Sequence, residues 1–130
     1  MTPTIEGNKL IAEFMGGKIE QLTERHGEPM GVVYGERVEF LECYKLTDLE
    51  YHSNWKWLMG VVEKINTMAI DNYGEMSVII YPYKCLIGHE GDNEYVASYL
   101  MQKYDTLIQI VYNAVIQFIT WYQNQQNPKQ

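Results

Sequence analysis

NWKWLMGVVEKINTMA, Asn54 to Ala69, followed after a short turn by MSVIIYPYKCLI, Met76 to Ile87, is the stretch whose reading decides the fold. In its first part Trp55, Leu58, Val62, Ile65 and Ala69 recur at helical spacing, with Lys56, Gly60, Glu63 and Thr67 opposite them. That periodicity predicts an amphipathic helix packed on one face. Ser53 is placed to cap it, and Tyr51 to staple onto its first turn. In the second part Val78, Ile79, Ile80, Tyr81, Tyr83, Cys85 and Ile87 are β-branched, aromatic or apolar, which predicts strand. Pro82 cannot donate to a ladder, so the segment is an edge strand, a bulged strand or two short strands.

Upstream, Gly31 to Tyr44 reads as strand on both sides of Gly35-Glu36, a pair suited to a tight hairpin turn. Asn8 to Met15 carries Leu10, Ile11, Phe14 and Met15 on one helical face and stops at Gly16-Gly17. Lys18 to Pro29 is polar and reads as a loop or a weak helical turn. Downstream, Gly88 to Asn93 is a loop and the pattern of Glu94 to Tyr104 is ambiguous. A long helix runs from about Asp105 to Gln123, and residues 124–130 read as a frayed tail. The order α-β-β-α-β-(β)-α predicts one α+β domain over residues 1–130. Its sheet would have three to five strands covered by helices, in an α/β/α-like sandwich. Its core should hold Leu10, Phe14, Phe40, Leu58, Val62, Ile65, Val78, Ile80, Val111 and Phe118.

Composition narrows the function classes. The 130 residues are 46% hydrophobic and 13% aromatic, enough to build a packed core rather than a disordered chain. Seventeen acids against ten bases give a net charge of −7, and no two lysines or arginines are adjacent. That balance opposes nucleic acid and anionic membranes, both of which need clustered cations. The N-terminus lacks a signal peptide's basic start and apolar run, and no stretch is apolar enough to span a bilayer. A cytoplasmic location is therefore expected, with Cys43 and Cys85 reduced.

Three segments carry a resemblance: NKLIAEFMGG at Asn8 to Gly17, YHSNWKWLMGVVEKI at Tyr51 to Ile65, and VYNAVIQFITWYQNQ at Val111 to Gln125. In order and spacing this set resembles a family of small uncharacterised phage and prophage proteins of Bacteroidetes type, with a phage α/β/α-sandwich domain. The family pattern usually has proline where this chain has Gly60, and residues 18–49 match no fixed pattern. The resemblance implies a phage or mobile-element origin and an α/β/α sandwich. It implies no activity and supplies no catalytic residues.

The residues themselves offer little chemistry. His26, His52, His89, Cys43 and Cys85 are the candidate metal ligands, yet none stands at zinc-ligand spacing. Both cysteines lie among apolar residues and read as small buried hydrophobes. No nucleophile elbow, phosphate loop or dinucleotide fingerprint is present, and no cofactor is expected. Tyr51, His52 and Trp57, around a helix N-terminus, form a candidate ligand-binding cluster.

On a helical wheel Leu107, Val111, Ala114, Phe118, Trp121 and Tyr122 make one apolar face of the last helix. Ile108, Tyr112, Val115, Ile116 and Ile119 make another. The second face is the candidate interface, particularly Ile108, Tyr112, Ile116 and Ile119. Another helix of the chain, a second copy or a foreign protein would have to cover it. The leading expectation is a non-enzymatic phage accessory protein acting through protein contacts. The alternative is a small enzyme or ligand-binding domain with a pocket near His52.

Overall fold

The computed structural model describes residues 3–21, 30–34, 42–71, 73–89 and 94–126. Its described residues form an α+β fold of three helices and three small antiparallel sheets. The chain divides into two compact units, residues 1–51 and residues 52–130.

In the first unit α1 spans Pro3–Phe14, so it begins well before the expected Asn8. Proline suits a first helical turn because its missing N–H has no partner there in any case. The helix stops at Gly16, whose φ of 94° is a left-handed cap conformation. Three strands follow: β1 (Lys18–Gln21), β2 (Met30–Tyr34) and β3 (Glu42–Lys45), antiparallel in that order. β1 replaces the loop expected at Lys18. Its one strongly apolar residue, Ile19, aligns with Val32 and Tyr44, and Val32 is fully buried. At the end of this pairing Tyr34 lies opposite Glu42. The Gly35-Glu36 turn and Phe40 lie outside the described residues. A 3-10 turn at Leu46–Asp48 then leads to Leu49, which is buried. The amide Nδ2 of Asn8, itself buried, donates to the Leu49 carbonyl at 3.1 Å and ties α1 to this turn.

Strand alternation also decides the cysteines. Val32 and Tyr44 share one face of the sheet, so Cys43 shares the other with Lys18 and Val33 and is exposed, against expectation. Cys85, in the second unit, is fully buried, and burial pushes its thiol up from 9.0 to about 12. Native protein at pH 8 is therefore expected to take up one equivalent of iodoacetamide, at Cys43, and a second only in urea. Uptake of two equivalents by the native chain would show that Cys85 is open. The linkage runs in the same sense. The folded thiol's pKa is raised, so the contribution is complete below the unfolded value of 9.0 and falls away as the pH rises toward about 12.

The second unit holds α2 (Trp55–Asn66), the ribbon β4 (Ala69–Ile70) and β5 (Gly74–Glu75), the sheet β6 (Ser77–Tyr81), β7 (Lys84–His89) and β8 (Glu94–Leu100), and α3 (Leu107–Gln126). Asn54, not Ser53, caps α2: its Oδ1 accepts the Lys56 N–H at 2.9 Å. The buried stripe is Leu58, Val61, Val62 and Ile65, while Trp55 is exposed. Pro82 takes the first corner of a tight turn between β6 and β7, with Tyr81 paired to Lys84. The stretch from Glu94 resolves as β8, and α3 continues through Asn124 to Gln126, residues expected to fray.

α3 packs on β7 and β8, and α2 packs on β6 and against α3. Cys85 and Ile87 on central β7 are fully buried. Val78, Ile80, Leu10 and Phe14, expected in the core, keep an intermediate exposure at its margin. Ile110, Val111, Ala114, Val115, Phe118 and Ile119 form one fully buried stripe on α3. The core therefore lies between the two faces drawn on the wheel and draws from both.

Each outer strand of the sheet also has one edge N–H taken by a helix amide. Asn66 Oδ1 accepts from Val78 at 2.8 Å, and Gln117 Oε1 accepts from Ser98 at 3.1 Å. Such contacts blunt an edge against further strand pairing. None of the described helices is long and apolar enough to cross a membrane.

Candidate functional site

The residues singled out from sequence are divided between the two units, with Tyr51 in the first and His52, Trp57 and the α3 residues in the second. Tyr51 closes the first unit and is buried, its hydroxyl 2.6 Å from that of Tyr34. Burial raises its pKa, against the opposing effect of the Tyr34 hydrogen bond. His52 is half-buried in the second unit and meets Tyr112 edge-on, at 6.4 Å and 75°. Burial pushes the Tyr112 phenol to about 12, so it stays neutral. Trp57 is half-buried on α2. On α3, Ile108, Tyr112 and Ile116 are half-buried, and Ile119 is fully buried and belongs to no exposed face.

An open cleft of about 530 Å³ lies between β4 and the end of α3, lined by Met68 to Asp71, Tyr122, Gln125 and Gln126. It contains neither His52 nor any other histidine. Among the described residues no three His, Cys, Asp or Glu side chains come together to hold a metal.

A different place stands out at one end of the β6–β7–β8 sheet. Tyr81 pairs with Lys84, and Lys84 with Leu100, so these three share a register position across the sheet. Cys85 and Ile87 alternate to the buried face, which puts Tyr81, Lys84 and Leu100 on the opposite one. Met101 N–H donates to the Tyr83 carbonyl at 2.8 Å, bringing the loop after β8 to the β6–β7 turn. The result is a concentration of exposed apolar and aromatic side chains: Tyr81 37%, Tyr83 50%, Leu100 60%, Met101 42% and Tyr104 88% exposed. Lys84 Nζ lies 4.8 Å from the Tyr81 ring centroid and 5.6 Å from that of Tyr83. Lys103 Nζ lies 5.1 Å from that of Tyr104. Exposed contacts of this kind contribute roughly 0.5–1 kcal/mol each and hold the cations over the rings.

The loop carrying Tyr104 is built, not slack. Asp105 Oδ2 accepts from the Tyr99 hydroxyl at 3.0 Å and from the Gln102 N–H at 2.8 Å, while the Asp105 N–H returns to the Gln102 carbonyl at 3.0 Å. Partial burial and the Asp105 carboxylate together hold the Tyr99 phenol above its ordinary pKa, so it remains a donor. The next residue opens α3 through a reciprocal cap. Thr106 N–H donates to Gln109 Oε1 at 2.7 Å, and Gln109 N–H points to Thr106 Oγ1 at 3.4 Å. Between these anchors Tyr104 is held at φ 73°, a left-handed conformation costly for a bulky residue.

Sequence reasoning missed this site. Its residues are spread from 81 to 104 and meet only through strand register. The Thr106-x-x-Gln109 spacing was the one readable signal, since it marks where the loop ends. Comparison with known proteins finds no matching family model, no matching curated protein and no matching solved structure.

Proposed function

We propose that the chain is a non-enzymatic accessory protein of phage or mobile-element type, and that it works by docking a partner protein onto the tyrosine-rich end of the β6–β7–β8 sheet. The observation that carries this reading is Tyr104, 88% exposed yet fixed at φ 73° by a loop tied down on both sides. In the isolated chain this arrangement gives little back, because the Lys103 contact contributes only about 0.5–1 kcal/mol while the backbone conformation costs about 1–3 kcal/mol and the ring stays largely in water. It becomes favourable when a partner covers the ring. Rigid, exposed tyrosine is well suited to that, since it brings large contact area at small entropic cost. Leu100 and Met101 lead into its loop, and the Met101 N–H ties that loop to Tyr83 in the β6–β7 turn, so further exposed apolar residues lie at the same end of the sheet, as a docking surface requires. The phage origin rests on the resemblance alone.

The test separates docking from folding. Tyr104→Gly removes the ring and relieves the backbone, so it should leave stability unchanged or raise it by up to about 1 kcal/mol. Random twelve-residue peptides displayed against the full chain are expected to yield binders that lose at least tenfold in affinity on the Tyr83→Ala, Tyr104→Gly double variant. A selection in which no binder distinguishes the two proteins would overturn the reading.

A further inference from the structure

We infer that the partner segment which docks on this patch is acidic, with aspartate or glutamate side chains flanking an apolar or aromatic anchor. The inference rests on the docking reading and adds the partner's chemistry. Lys84 and Lys103 both stand at the patch, each with its ammonium held over tyrosine rings. A ring face leaves ammonium N–H donors unused, because an ammonium carries three of them. The acid at this end of the sheet, Asp105, is already engaged by Tyr99 and Gln102 through the same oxygen. Among the described residues neither Lys84 nor Lys103 has a carboxylate partner. Two ammonium groups against the one Asp105 carboxylate leave the patch cationic on a chain whose net charge is −7.

Screening decides which charge a partner meets. At physiological ionic strength fields decay over about 8 Å, so a docked segment responds to these two lysines, set against Asp105 alone, and not to the acids elsewhere. A carboxylate set beside Lys84 can also accept from the Tyr81 or Tyr83 hydroxyl, which makes the contact charge-assisted and directional. Single-stranded nucleic acid fits less well. It needs open ring faces for stacking and a run of cations along the backbone. Here Lys84 lies over the Tyr81 and Tyr83 rings, and two lysines are too few. An isologous contact with a second copy would set the same lysines close to one another.

The experiment uses the full chain and two displayed peptide libraries of twelve residues, matched in aromatic, leucine and glycine content. One has aspartate or glutamate at half its positions, and the other has asparagine or glutamine there. Binders that depend on Tyr104 are expected from the acidic library only. They should weaken at least tenfold on Lys84→Glu, Lys103→Glu, and at least fivefold between 50 and 500 mM NaCl, while Lys84→Arg, Lys103→Arg retains them. Circular dichroism and thermal melts verify that the variants fold. Equal recovery of Tyr104-dependent binders from both libraries would overturn the acidic partner and leave the docking reading standing. Recovery from neither would remove both. Two further results would also overturn the proposal. One is a twenty-residue oligothymidylate that binds more tightly than the peptides and depends on the same lysines. The other is self-association in light scattering that Tyr104→Gly abolishes.

Discussion

Phe118→Ala is expected to destabilise the second unit by about 4 kcal/mol, within the 3–5 kcal/mol seen when a buried phenylalanine is truncated. Phe118 is the largest of the fully buried side chains among the described residues, toward the C-terminal end of the α3 stripe. Its ring lies 5.9 Å from Trp121 and 6.1 Å from Tyr122, the latter pair stacked at 7°. Trp121 in turn meets Tyr73 at 4.9 Å, at right angles, beside the β4–β5 ribbon. Removing the Phe118 ring therefore leaves a cavity and takes support from the aromatic contacts that reach this ribbon. Against a typical total stability of about 5–15 kcal/mol, the change is large. The melting temperature should fall by roughly 10–20 °C, on the usual scaling for a chain of this length. Urea unfolding of Phe118→Ala beside Phe118→Leu measures it, with the leucine variant recovering more than half of the loss. A shift below about 1 kcal/mol for alanine would show that the core does not lie where α3 meets β7 and β8.

The parts of the fold that were legible are those with a strong local period. Leu58, Val62 and Ile65 recur at helical spacing, and all three are buried on α2. Val61 is buried as well, because the stripe is rotated slightly from the one Trp55 implies, and wheel geometry alone does not say which flank faces the sheet. The same is true of α3. Two apolar faces were visible, and the helix buries the band between them, including Ile110, which neither face contained.

Short strands carried too little signal. KIEQ at Lys18–Gln21 has a single large apolar residue, and its strand state comes from pairing with β2. Pro82 announced an interruption without revealing its kind, because a bulge and a turn both accommodate proline. Cys43 illustrates parity: the residue type favours burial, yet the register puts it opposite Tyr44's face. The candidate site was the least legible part. The high exposure of Tyr104, its φ of 73° and its closeness to Lys103 are properties of a loop held by Asp105. Local composition there shows only another tyrosine between polar residues.

Gly88→Ala is expected to cost about 3 kcal/mol, at the upper end of what overpacking does, while the same substitution at Gly60 should stabilise by up to about 1 kcal/mol. The two glycines differ in what a methyl group would meet. Gly60 lies inside α2, and a Cβ there has nothing within 4 Å, so alanine brings only its better helix propensity. Gly88 lies on β7 between Ser77 of β6 and Tyr95 of β8, where the β7–β8 register shifts after Ile87. The shift draws the β8 backbone in, and a Cβ on Gly88 would press onto the Glu94 carbonyl oxygen and the Tyr95 Cα. Backbone atoms paired in a sheet cannot swing aside as a side-chain tip does, so the ladder itself must shift. Because β7 is the central strand, the disturbance reaches Cys85 and Ile87, on which α3 packs. Urea midpoints of the two single variants, measured side by side, should move in opposite directions. Hydrogen exchange should show the loss of protection in Gly88→Ala centred on β7 and β8. A neutral Gly88→Ala would mean that β8 does not approach β7 so closely at the bulge, and that the register placing Leu100 beside Lys84 needs revision.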